Sequence, residues 1–134
     1  MVEKIKVNFT EKNLNCAEST LAGANDSLGL GLADDAIKLV GGFGGGFGCG
    51  RLCGALAAAI TVISKEMIAE RAHDTAGLRE ACAGFIALFE KEFGGTECAD
   101  LRARLVPPGG RCTDIVTRNA ELLEEFLKTL KTEA

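Results

Sequence analysis

The chemistry in this sequence is carried by sulfur. Six cysteines stand among 134 residues, against a single histidine. No two of them have C-x-x-C spacing, so the thioredoxin motif and the common zinc ribbons are absent. Their position relative to helix starts is more telling. Asn15 reads as an N-cap with Glu18 three residues on, which makes Cys16 the first helical residue. Gly48 and Gly50 flank Cys49, and Cys53 falls in the first turn of the helix that follows. Thr96 is expected to cap the helix that carries Cys98 in its first turn. Thr113 is expected to cap the last helix, with Cys112 just before it. All of these cysteines but Cys82 therefore lie at or beside a helix N-terminus. There the free N–H groups and the helix dipole favour thiolate over thiol. Thiolates serve both nucleophilic redox chemistry and metal ligation. A cluster held by four thiolates is an anion, which converging helix N-termini would stabilise.

Cys82 lies in mid-helix on an apolar stripe and is expected to be a buried, inert packing residue. Cys49 is open to either reading, as a ligand beside Cys53 or as a loop residue. His73 reads as a solvated surface residue, since a Cys–His nucleophile pair would depend on it alone. Asp34 and Asp35 suit a helix start. Arg51 either pairs with a thiolate or faces solvent. Residues 41–50 are glycine-rich, but nothing in them fits a G-x-G-x-x-G or a phosphate-loop lysine. Their expected roles are close backbone packing and N–H groups facing a cofactor or thiolate site.

The elements that position these residues read as helices. Leu78, Cys82, Phe85, Ile86, Phe89 and Phe93 recur at steps of three and four, and Gly94-Gly95 ends the run. Leu52, Leu56, Ile60, Ile63 and Met67 form a second stripe. Ala17, Leu21, Ala24 and Leu28 form a third, and Val116, Ala120, Leu123, Phe126, Leu127 and Leu130 a fourth. Shorter helices fit about 33–40 and 97–105, the latter broken by Pro107-Pro108-Gly109-Gly110. No segment alternates as a strand would. The expectation is an all-α, single-domain bundle over 1–134, of about six helices, with a glycine-rich loop before the third.

A net charge of −4, with 15 basic residues spread among 19 acidic ones, excludes a basic nucleic-acid face. The apolar run from Leu52 to Ile63 is too short to span a bilayer, so no membrane partner is expected. The N-terminus shows no apolar leader, so a cytoplasmic chain is expected. In that reducing compartment six cysteines suggest metal or redox chemistry, not structural disulfides.

Four of the cysteines also carry a resemblance. Asn15-Cys16-Ala17, the glycine run Gly42-Phe43-Gly44-Gly45-Gly46, Cys53-Gly54-Ala55, then Cys98 after Phe93-Gly94, and finally Cys112 follow the order of the redox-active family named for the pattern C_GCAxxG_C_C. The resemblance covers about residues 13 to 127. One departure is that Ala58 stands where the motif ends in glycine. It implies redox activity through the cysteines, with an iron–sulfur cluster as the suggested cofactor.

The resulting expectation is a redox-active, electron-transfer or oxidoreductase component. Cys16, Cys53, Cys98 and Cys112 are its metal ligands, or its redox thiols if no cluster is bound. Cys49 is a candidate substitute ligand. Gly44, Gly45, Gly46, Gly48 and Gly54 are the cofactor-facing glycines. The alternatives are a cluster-free thiol–disulfide protein, in which Cys98 and Cys112 are the nearest pair in sequence, and a zinc-binding or structural helical module. A redox partner protein is expected, with homo-oligomerisation left open. The four cysteines should meet in one place.

Overall fold

A computed structural model describes residues 1–133. Seven α-helices account for most of them: α1 (Val2–Glu11), α2 (Cys16–Leu28), α3 (Asp34–Ile37), α4 (Gly54–Met67), α5 (Leu78–Phe93), α6 (Cys98–Leu105) and α7 (Thr113–Glu133). The fold is all-helical, as the stripes require. Among the described residues the only β pairing is an isolated antiparallel bridge between Leu52 and Glu97.

The expected count of about six is one short, because α1 was not anticipated. It is a short amphipathic helix with low mean hydropathy, and Ile5, Asn8 and Phe9 form its buried face. Two hydrophobic residues and an asparagine make a thin stripe, which stands out only once α2 and α7 pack against it. The glycine-rich segment therefore precedes the fourth helix, not the third. The expected helix at 33–40 is α-helical only over Asp34–Ile37. It tightens to a 3₁₀ helix over Lys38–Phe43, followed by a wide π-type turn over Gly46–Gly50. The α-geometry ends at Ile37, three residues short of the glycine run that starts at Gly41, and glycine stabilises α-helix too poorly for it to resume there.

The core is built around α4. Ala55, Leu56, Ala57, Ala58, Ala59, Val62 and Ile63 are all buried. The alanines let neighbouring helices approach closely, with α2 on one side and α5 and α7 on others. Leu21, Phe85, Phe89, Val116 and Leu123 fill the space between. Ala58 is fully buried there, so its methyl group is accommodated where the motif has glycine. No described helix is long and apolar enough to cross a membrane.

Candidate cysteine site

Each of the four cysteines is placed by backbone chemistry. Asn15 caps α2 as expected: its Oδ1 accepts from Ala17 N at 3.1 Å and Glu18 N at 2.9 Å, while Glu18 Oε1 accepts from Asn15 N at 3.1 Å. This completes a capping box and sets Cys16 as the first helical residue. Asn15 Nδ2 also donates to Gly41 O at 2.9 Å, which ties the start of α2 to the glycine-rich segment.

Cys53 stands at the N-cap of α4, one step before the first turn in which it was expected. Its N–H donates to Thr96 O at 2.8 Å. In return Cys98 N, at the first position of α6, donates to Arg51 O at 2.6 Å. These bonds flank the Leu52–Glu97 bridge, so one small clasp sets both helix starts side by side. Glu97, not Thr96, occupies the N-cap of α6 and makes no side-chain cap bond; the Thr96 hydroxyl turns instead to Glu97 Oε2 at 3.3 Å. The clasp takes the Thr96 carbonyl and fixes the backbone so that the expected cap does not form. Cys112 immediately precedes α7 and accepts from Val116 N at 2.9 Å through its carbonyl.

These four helix starts surround one cavity of about 310 Å³. Cys16, Cys53, Cys98 and Cys112 all line it, with Gly45, Gly54, Asn15, Arg102, Arg111 and apolar residues of α6 and α7. They are close enough that Cys16 feels the charge of Cys112 and Cys98, Cys53 that of Cys16 and Cys98, and Cys98 that of Cys112. A larger open groove of about 690 Å³ between α5 and α7 contains no cysteine.

The glycines divide in role. Gly45 lines the cavity and directs its N–H at the Cys16 sulfur. A Cβ on Gly54 would meet Cys16 Sγ, and one on Gly46 would meet the Arg51 backbone and Cys98 Cβ. Gly44 packs against the Asn15 side chain. A Cβ on Gly48 would meet nothing within 4 Å, and Gly48 is not among the residues lining the cavity.

Two thiols sit apart from expectation. Cys49 is exposed, is not among the residues lining the cavity, and donates weakly to Gly46 O at 3.6 Å. The π-type turn carries it outward, although only three residues separate it from Cys53. Cys82 is half-buried, not buried, because it lies at the edge of the α5 stripe. His73 is exposed in a short 3₁₀ turn, and the Arg51 side chain faces solvent while its carbonyl serves the clasp.

The electrostatics reverse one sequence argument. Helix starts were expected to lower the thiol pKa values. Burial instead pushes the Cys53 thiol up to about 12, against the N–H groups of Leu56 and Ala55 that favour its thiolate. Burial also raises Cys16, opposed by the Ala17 and Gly45 N–H groups and reinforced by Cys112 and Cys98. Cys98 is raised by burial and by Cys112, with Arg102 opposing. Removing a thiolate from water costs more here than a helix terminus returns. All six cysteines are free thiols.

A model of the family described as "Putative redox-active protein (C_GCAxxG_C_C)" matches residues 14–126. The chain belongs to the C_GCAxxG_C_C family. No curated protein and no solved structure gave a match. The matched span of the C_GCAxxG_C_C family contains every residue lining the cysteine cavity except Phe9 and Asn13.

The donor set suits a thiophilic metal: four soft sulfurs line one cavity, and at Gly54 the backbone of α4 packs directly against Cys16 Sγ with no side chain between. As they stand, no three His, Cys, Asp or Glu side chains among the described residues are spaced to hold a metal ion. Ligation therefore requires the sulfurs to draw inward and lose their protons.

Proposed function

We propose that Cys16, Cys53, Cys98 and Cys112 form a redox centre that holds an iron–sulfur cluster, or another thiophilic metal, and exchanges electrons with a partner protein. The convergence of these four thiols, from four different helix starts, on one cavity supports this reading. A bound cluster would supply one-electron chemistry at the cavity. The chain's own part is to hold it and share its charge. Cys53 and Cys98 are held in register by the backbone clasp. The N–H groups of Ala17 and Gly45 face the Cys16 sulfur, and those of Ala55 and Leu56 face Cys53. Gly54 lets the start of α4 pack directly against the Cys16 sulfur. The raised pKa values of Cys16, Cys53 and Cys98 fit the same role, because burial first and neighbouring thiolates second disfavour charge on these sulfurs until a cation offsets it.

A cluster-free reading draws on a different observation: Cys112 lies near enough to Cys98 for its charge to act on that thiol, and it accepts a hydrogen bond from Arg102. Two thiols there would form one S–S bond and pass two electrons and two protons to a disulfide-bearing partner, which leaves as a dithiol.

Anaerobic purification followed by iron, zinc and sulfide analysis and a visible spectrum tests the proposal. The expected result is iron and sulfide, with a colour lost on Cys→Ser substitution at any of the four positions and kept in C49S and C82S. A colourless chain with zinc alone, or with no metal and a thiol count insensitive to mild oxidants, would overturn it.

A further inference from the structure

The four-thiol cavity has an asymmetric charge environment. Two arginines line it, and they are used differently. Arg111 is committed to α1: its Nη2 donates to Phe9 O at 2.8 Å, and its guanidinium lies 4.2 Å from the centre of the Phe9 ring. Arg102 has no carboxylate within salt-bridge distance among the described residues. Its Nη1 donates to Cys112 Sγ at 2.9 Å. It also stands one helical turn after Cys98 on α6, where its charge acts on that thiol. A single exposed guanidinium at the cavity mouth therefore addresses two of the four sulfurs, from two different helices. The neighbouring Arg104 turns away, bound to Asp100 and to Phe93 O.

We infer that Arg102 is a positioning residue that sets the reduction potential of the site through Cys112 and Cys98. This rests on the redox reading of the cavity, though not on which form of it is correct. The physical basis is charge. Reduction adds negative charge to the sulfurs, and a cation hydrogen-bonded to one of them stabilises the reduced state more than the oxidised state. For a one-electron centre, an electron from dithionite through soluble mediators adds one negative charge with no bond broken. For a dithiol–disulfide pair, two electrons enter, the S–S bond breaks, and each sulfur takes a proton from water or remains a thiolate. Arg102 favours the reduced side in both cases.

Anaerobic potentiometric titration of the full chain tests this, followed by both visible absorption and thiol count. In R102Q the oxidised-to-reduced ratio at a fixed ambient potential should rise about tenfold, equivalent to about 59 mV for one electron or about 30 mV for two. R102K keeps the charge and should recover at least half of the shift. R104Q, on the same helix but bound elsewhere, should titrate with the wild type. A merely structural role for Arg102 would lower the urea midpoint without moving the potential. A colourless two-electron titration would reject the cluster while still supporting the inference if R102Q shifts. Coincident wild-type and R102Q curves, or an R104Q shift of equal size, would overturn the inference. A chain with no titrating signal of either kind would overturn both.

Discussion

A methyl group on Gly54 would stand 2.6 Å from Cys16 Sγ and 2.7 Å from the Phe43 carbonyl oxygen. The absence of a side chain at this position thus keeps the start of α4 against both the Cys16 sulfur and the glycine-rich segment. Alanine is otherwise the better helix former, by roughly 0.5–1 kcal/mol over glycine. In G54A the clash with a backbone carbonyl outweighs that gain, because a carbonyl in a packed turn has no rotamer to escape into. The expected outcome is net destabilisation of about 1–3 kcal/mol in urea unfolding, with loss of whatever colour or redox titration the parent shows.

The buried thiols make the metal-free chain sensitive to alkali. Burial pushes the Cys53 thiol up to about 12 in the fold, from an ordinary value of 9.0. Between these values the unfolded chain sheds a proton that the folded chain keeps. Stability from this group is therefore whole below pH 9 and falls as pH rises through that window, by up to about 1.4 kcal/mol per unit. Chemical unfolding of the metal-free chain across pH 8 to 11 should show the fall, and C53A should flatten it. Equal slopes in the two proteins would contradict the assignment.

Asn15 joins two functions in one side chain, a helix cap and a tie to Gly41 O. N15A should cost about 1 kcal/mol from the cap alone. Because the tie is lost too, amide exchange should quicken along Gly41–Gly46 as well as in the first turn of α2. Faster exchange confined to α2 would mean that the Gly41 bond contributes nothing.

Alkylation of the metal-free native protein should follow exposure and burial. Cys49, exposed in its turn, should label first. Cys82, half-buried, should follow, and Cys53, the most buried, should label last. Peptide mapping by mass spectrometry gives the order directly. Labelling of Cys53 ahead of Cys49 would show that the cavity opens far more readily than its packing implies.

The helical fold was legible because apolar residues such as Phe85, Phe89 and Leu123 recur with the helical period and do end in the core. Asn15 and Glu18 announced their capping box through a local rule that needs no partner. What escaped was set by contacts distant in sequence. The face of α1 is too thin to read before α2 and α7 cover it. Thr96 is the right residue type for a cap, yet its carbonyl is taken by Cys53 N, 43 positions away. The thiol pKa values depended on how deeply the helix starts were buried, which periodicity does not report. Arg102 was not singled out at all. The only available signal was its place one helical turn after Cys98, and its contact with Cys112 exists only after the turn at Pro107–Gly110 folds back.

The Leu52–Glu97 bridge has a dynamic corollary. The amides of Cys53 and Cys98 each donate across the bridge, to Thr96 O and Arg51 O, so separating the two segments frees both together. Their deuterium uptake should then be one event with one opening free energy, and not two. Occupancy of the sulfur cavity would slow both by the same factor, which makes this pair of backbone protons a built-in gauge of whether the centre is loaded.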